Sequence, residues 1–319
     1  MEHKPLLMGH WNNERNGRYD RPRYEGEAAN LDLIEIPEEY NVIVVSTPYM
    51  HNRGFPKFKP HNQSNGEFHE QVENLTSKGR QVLFNLQNQH VNGHDYNYNE
   101  EILASRIMNI LVGNRFSGIC INLDREIMDE KDNQVVIPAA LKLLKKWCKE
   151  ENRDFSICIS SYFSDLGEDN KGLPYLTELE GHYDLVCANL YEYIAGGGYV
   201  FHSLQFDKGG DWISEDDDEQ KEDFLYGMMD SFTNGTRGFP KIPHDKLVLG
   251  LTANQDATHK GHVSDPSAVL NAMERLKQSG TPIRGLSAYT INWDAGQDKD
   301  GQPHSHKFIN RYKGIITPV

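Results

Sequence analysis

Eight short apolar runs recur along the chain with helical patterns between most of them, and no other feature limits the fold so tightly. The runs cover residues 6–11, 41–47, 81–86, 116–124, 155–160, 185–191, 246–251 and 284–293, and they are rich in Val, Ile, Leu and aromatics. Short apolar runs with little polar alternation suit strands covered by helices on both faces of a parallel sheet. Helical periodicity falls at 68–77, 100–112, 138–151, 220–232 and 266–278; Pro138 reads as a first-turn proline and Asp265 as an N-cap. Eight strands in regular alternation predict a closed (β/α)₈ TIM barrel rather than a doubly wound sheet. The chain of 319 residues corresponds to one such barrel of about 250 residues plus loops, read here as one domain over residues 1–319. Only 31 residues separate Leu251 from Ile283, barely enough for two turns and one helix. No α+β insertion is therefore expected between the seventh and eighth strands.

Two connections exceed what a barrel needs, at 12–39 and 192–245. Both follow strand ends, so both belong on the C-terminal face, where barrel sites form. The acidic stretch 215–219 reads as a solvated helix start, with a calcium site as the sharper alternative.

The net charge of −14 argues against nucleic acid, whose phosphates need clustered Lys and Arg, and suits a neutral partner such as a glycan. No apolar run approaches the roughly 18 residues of a membrane span, so no membrane partner is expected. The N-terminus passes directly into an apolar run and shows no signal peptide; cytoplasmic placement, or export without such a signal, is the expectation. Cys120, Cys148, Cys158 and Cys187 lack metal-ligand spacing and read as free thiols. His90 and His94 have helical metal-ligand spacing, but Asn92-Gly93 between them reads as a turn. No metal or other cofactor is expected.

Along the fourth run, residues 118, 120, 122 and 124 share one strand face. This puts Asn122 and Asp124 at the C-terminal mouth, and Glu126 two residues further out. By itself this is also how a strand ends in polar residues.

The run Ser117-Gly118-Ile119-Cys120-Ile121-Asn122-Leu123-Asp124 resembles the signature of family 18 glycoside hydrolases, Asp-Gly-x-Asp-x-Asp-x-Glu on the fourth barrel strand. Gly118 matches, and the acidic positions have become Ser117, Cys120, Asn122 and Asp124. Residues 33–45 resemble the approach to the family's second strand, 183–193 its sixth and 246–253 its seventh. Residues 285–294, ending Tyr-Thr-Ile-Asn-Trp-Asp, resemble the eighth strand of bacterial chitinases.

This resemblance implies substrate-assisted chemistry, an exception to the two-carboxylate scheme. A glutamic acid protonates the glycosidic oxygen while the sugar's own N-acetyl carbonyl attacks the anomeric carbon. Carried over, the acid falls on Asp124, one methylene short, and the aspartate that holds the acetamide falls on Asn122. The aspartate before it falls on Cys120, the acetamide tyrosine on Tyr191 and the sugar-floor tryptophan on Tyr289. The family's Ser-x-Gly-Gly after strand three appears as residues 85–88, Asn-Leu-Gln-Asn. Asn189, Trp11, Cys120 and Glu126 join Tyr289 as expected substrate-binding residues. Tyr191 and Tyr289 also read as core aromatics, Trp293 and Asp294 as barrel caps, and Glu126 as a loop carboxylate or a displaced acid.

Three functions follow. The first is a chitinase-like protein that binds N-acetylglucosamine oligosaccharides or chitin and hydrolyses them weakly or not at all. The second is a working retaining glycosidase using Asp124 or Glu126 as acid. The third is a scaffold, storage or toxin-assembly subunit of a larger protein assembly.

Overall fold

Eight parallel strands close on themselves, as the alternation predicts. A computed structural model describes residues 6–13, 26–46, 56–61, 63–87, 99–191, 198–202, 212–258 and 261–316, without the side chains of Arg125 and Glu126. The barrel strands are β1 (Leu6–Asn12), β2 (Val42–Ser46), β3 (Gln81–Leu86), β4 (Gly118–Asn122), β5 (Ser156–Tyr162), β6 (Leu185–Asn189), β9 (Leu247–Thr252) and β10 (Gly285–Tyr289). They run in that order round the barrel until β10 pairs with β1. Between β6 and β9 a two-stranded antiparallel ribbon intervenes, β7 (Val200–His202) with β8 (Trp212–Ser214).

Strand alternation sorts the core into two layers. Leu6, Met8, Val42, Val44, Leu83, Cys120, Cys158, Leu185, Cys187 and Val248 fill the barrel interior. Their strand neighbours, among them Leu7, Ile43, Phe84, Ile119, Ile159, Val186 and Leu249, face outward under the helices. The Cys158 Sγ lies 4.0 Å from the Met8 Sδ, so β5 and β1 meet across the barrel centre. Gly118 and Gly285 have no room for a side chain: a Cβ would run into the backbone carbonyl of Ser156 or Leu6 on the adjoining strand.

The outer helices are α1 (Asn65–Ser77), α2 (Glu100–Asn114), α4 (Asn133–Glu150), α5 (Leu173–Glu178), α6 (Lys221–Asn234), α7 (Pro266–Gln278) and α9 (Lys307–Ile316). Two shorter ones, α3 (Arg125–Asp129) and α8 (Ile291–Asp294), follow β4 and β10 directly. The Asp265 side chain caps α7 as expected, accepting from Ser267 N. Between β9 and β10 the described residues hold α7 and no strand, in keeping with the absence of an inserted module. No described helix is long and apolar enough to cross a membrane.

Two local expectations fail. Pro138 lies inside α4, which starts at Asn133. The preceding Val-Val-Ile is poor helix material by propensity, but buried Asn133, whose Nδ2 donates to Ile127 O at 3.1 Å, and buried Ile137 hold that turn against the barrel. The acidic stretch is not uniformly solvated. Asp216, Asp218 and Glu219 are exposed, and Asp217 caps the short turn before α6, but Glu215 is buried.

Candidate functional site

The C-terminal strand ends form the barrel mouth, and alternation dictates which residues line it. Inward-facing positions continue upward from the apolar interior as His10 and Asn12 on β1, Asn85 on β3, Asn122 on β4, Ser160 on β5, Asn189 on β6, Thr252 on β9 and Tyr289 on β10. Amides and hydroxyls dominate that layer, with one imidazole.

Trp11 is not among them. It faces the outer layer, is buried there, and its indole Nε1 donates to Leu31 O at 2.9 Å. The inward neighbours of Trp11 on that strand are His10 and Asn12. The β1 run is apolar on both faces, so only the register places 10 rather than 11 inside.

Asp124 lies beyond the strand. β4 stops at Asn122, and Asp124 is the N-cap of α3, its Oδ1 accepting from Ile127 N at 2.8 Å. The backbone carbonyl of Asp124 accepts from Met128 N at 3.0 Å, closing the first turn. Glu126 therefore sits in a helical turn and does not continue the strand face of Asp124; its side chain lies outside the described residues. Cys120 is fully buried in the interior, paired in register with Cys158. The hydrogen bond with Cys120 and burial push the Cys158 thiol well up, and burial does the same to Cys187. Both stay protonated, which makes them poor nucleophiles and poor metal ligands.

Asn189 is buried at the end of β6. Its Nδ2 donates to Ser160 Oγ at 3.0 Å and its Oδ1 accepts from Cys187 Sγ at 3.2 Å. Gly250 on the adjoining strand leaves the room for it, since a Cβ there would run into the Asn189 Oδ1. Two residues on, Tyr191 is 7% exposed and its ring stacks on that of Tyr289, with centroids 4.6 Å apart and an interplanar angle of 29°. The resemblance gives these tyrosines separate tasks, whereas the fold joins them in one aromatic pair. Gly261 closes over the Tyr191 backbone with φ +88°; a Cβ would come within 2.7 Å of the Tyr191 Cα, so this position needs glycine twice over.

His10 lies beside the pair, its centroid 5.8 Å from that of Tyr289, and burial lowers its pKa to about 4, leaving a neutral imidazole at pH 7. A second feature hidden from the sequence is Glu215. Its Oε2 accepts from Tyr162 Oη at 2.6 Å and from Tyr199 N at 2.9 Å, which ties the β7–β8 ribbon to the rim at β5. That contact spans 53 residues and has no local signal.

Trp293 and Asp294 are buried, Trp293 against Ala253 and Ala257 after β9. Asp294 accepts from Tyr40 Oη at 2.8 Å and from Phe308 N at 2.9 Å, which ties α8 to the approach to β2 and to α9. His90, His94 and Asn88 lie outside the described residues. Among the described residues, no group of three or more His, Cys, Asp or Glu is arranged to hold a metal ion.

An eight-stranded parallel barrel with its polar and aromatic side chains gathered at the C-terminal mouth places the chain in the TIM-barrel class. Within that class it belongs to the family 18 glycoside hydrolases, the chitinases, for it is 35% identical over 316 residues to a chitinase from Enterococcus faecalis. That match covers 98% of this chain and 88% of the relative. Among solved structures, a family 18 chitinase from Chromobacterium violaceum superposes with a TM-score of 0.68 at 19% identity, covering 97% of this chain and 83% of that one. A xylanase and α-amylase inhibitor protein from Scadoxus multiflorus does so with a TM-score of 0.61 at 14% identity, covering 99% and 100%. No protein-family model matches the chain.

Proposed function

We propose that this protein binds N-acetylglucosamine-containing glycans at the barrel mouth and hydrolyses them weakly or not at all. The observation that carries the reading is Asp124, the remaining carboxylate of the strand-four set, which accepts Ile127 N as the cap of α3. A general acid must present a proton to the glycosidic oxygen within hydrogen-bond reach. A carboxylate drawn back to a helix start by an N–H is poorly placed to do so. Cys120 and Asn122 supply no charge to offset a developing cation.

Binding needs less. Neutral amides, a half-buried aromatic and few charges suit a neutral sugar, with Tyr289 as the stacking surface and Tyr191 and Asn189 as fixed polar partners. Kinship with the Enterococcus faecalis chitinase supports a second reading, retained hydrolysis through Asp124 or Glu126.

Calorimetric titration with N-acetylglucosamine oligomers separates these readings when paired with turnover of fluorogenic chitobiosides. Binding without turnover is the expected result, and Tyr191→Phe should weaken it about 2- to 10-fold, the range for one hydrogen bond. Absence of binding at millimolar ligand would move the assignment to a scaffold role. Efficient turnover abolished by Asp124→Ala would make the protein an enzyme.

A further inference from the structure

Among the described residues, three polar atoms of the mouth layer are buried without a hydrogen-bond partner: His10 Nε2, Thr252 Oγ1 and Asn85 Oδ1. Their residues are 3%, 4% and 2% exposed. Buried polar groups in folded proteins are almost always satisfied, and an unmet one works against folding. Two of the three stand on the strands either side of β10. Thr252 is the register partner of Tyr289 on β9, and His10 lies on β1, on the other side of β10. The two residues thus flank Tyr289 along the barrel wall, with the His10 ring beside its ring.

We propose that His10 is a specificity-determining residue of the mouth, its Nε2 and the Thr252 hydroxyl together receiving a neutral hydrogen-bonding group of the ligand beside Tyr289. The chemistry selects the class. A neutral imidazole has one donor and one acceptor nitrogen, and a hydroxyl offers both functions. Such a pair matches a hydroxyl or an amide. It does not match a carboxylate or phosphate, which would be buried in this layer without a charged partner. Asn85 Oδ1 extends the acceptor set round the barrel. That the group belongs to a glycan rests on the function proposed above; that the position receives a neutral polar group does not.

Thr252→Val is nearly isosteric and His10→Phe keeps a ring beside Tyr289. Because each removes an unmet polar atom, each variant should hold or raise Tm, by about 2 °C where it rises. N-acetylglucosamine oligomers should bind about 10-fold more weakly to His10→Phe and several-fold more weakly to Thr252→Val, the range for one lost hydrogen bond. A residue with a merely structural role would give the opposite pattern, lower Tm and unchanged affinity, and that result overturns the proposal.

A second measurement separates this inference from the glycan reading. Ring-nitrogen resonances of ¹⁵N-histidine-labelled protein are followed during titration with acetamide and, separately, with the oligomers. Saturable shifts of the resonance absent from His10→Phe, on acetamide but not on oligomers, would sustain the receiving site and defeat the glycan reading. Oligomers that bind wild type and both variants equally would do the reverse. Failure of wild type to take either probe overturns both.

Discussion

Restoring carboxylates at positions 120, 122 and 124 is expected to switch on hydrolysis of N-acetylglucosamine oligomers in unequal steps. Asp124→Glu alone should gain little. It lengthens the reach of the acid, but Asp is among the preferred N-caps and Glu is not, so α3 loses its cap at about 1 kcal/mol. Asn122→Asp should contribute more. Position 122 is half-buried at the mouth, and a carboxylate there both orients the acetamide and opposes the positive charge of the intermediate. Preorganised groups of this kind are each worth about 10²–10³ in rate.

Cys120→Asp is the costly step. Cys120 is fully buried against Cys158, and a carboxylate without a charged partner there costs several kcal/mol. Against a total stability of about 5–15 kcal/mol that is a large share. The triple variant should thus be faster than wild type by about two orders of magnitude or more, and markedly less stable. Release from fluorogenic chitobiosides across the single, double and triple variants measures the first effect, and urea melts with circular dichroism measure the second. A folded triple variant without activity would mean that more than the acids has been lost, with Tyr289 and Asn85 the next positions to restore.

The barrel was legible because each strand, buried on both faces, announces itself as an apolar run. Gln81–Leu86 and Pro266–Gln278 match their structural bounds at both ends. Three runs overshoot, at 116–124, 185–191 and 284–293, for one physical reason. Leu123, Leu190, Ile291 and Trp293 are buried by the turns and short helices that follow the strands, so apolar character continues where strand geometry has stopped.

This overshoot displaced part of the site. Extending β4 to Asp124 takes a helix cap for a strand residue, and it places Glu126 on the same face. The expectation that Trp11 lines the mouth fails for a related cause. Both neighbours on β1 are buried, and only the inward packing of Met8 settles which parity points to the mouth. Tyr191 and Tyr289 were found by resemblance, but their mutual stacking depends on how β6 and β10 end, which no local pattern encodes.

Acid should destabilise the protein through His10 before its carboxylates titrate. Burial holds the folded pKa of His10 at about 4, below the value near 6.5 of an unfolded chain. Between those values the unfolded state binds a proton that the native state refuses. The contribution of His10 is therefore fully present above pH 6.5, falls as the pH drops toward 4, and changes no further below that. A difference of about 2.5 units corresponds to a loss on the order of 3 kcal/mol. His262, lowered to about 4 chiefly by burial and also by Arg311, adds a smaller loss in the same window because it is less completely buried. The exposed caps Glu67 and Asp265 have depressed folded pKa values, so their contributions fade only as the pH falls below their unfolded values near 4. The window from pH 6.5 to 4 thus isolates the histidines. Urea denaturation of wild type at pH 7, 5.5 and 4 should show falling stability, and His10→Phe should flatten most of that slope. If the two proteins lost stability in parallel, the buried imidazole would not be the acid-sensitive element, and the polar floor beside Tyr289 would be open enough for water to hydrate a charged His10.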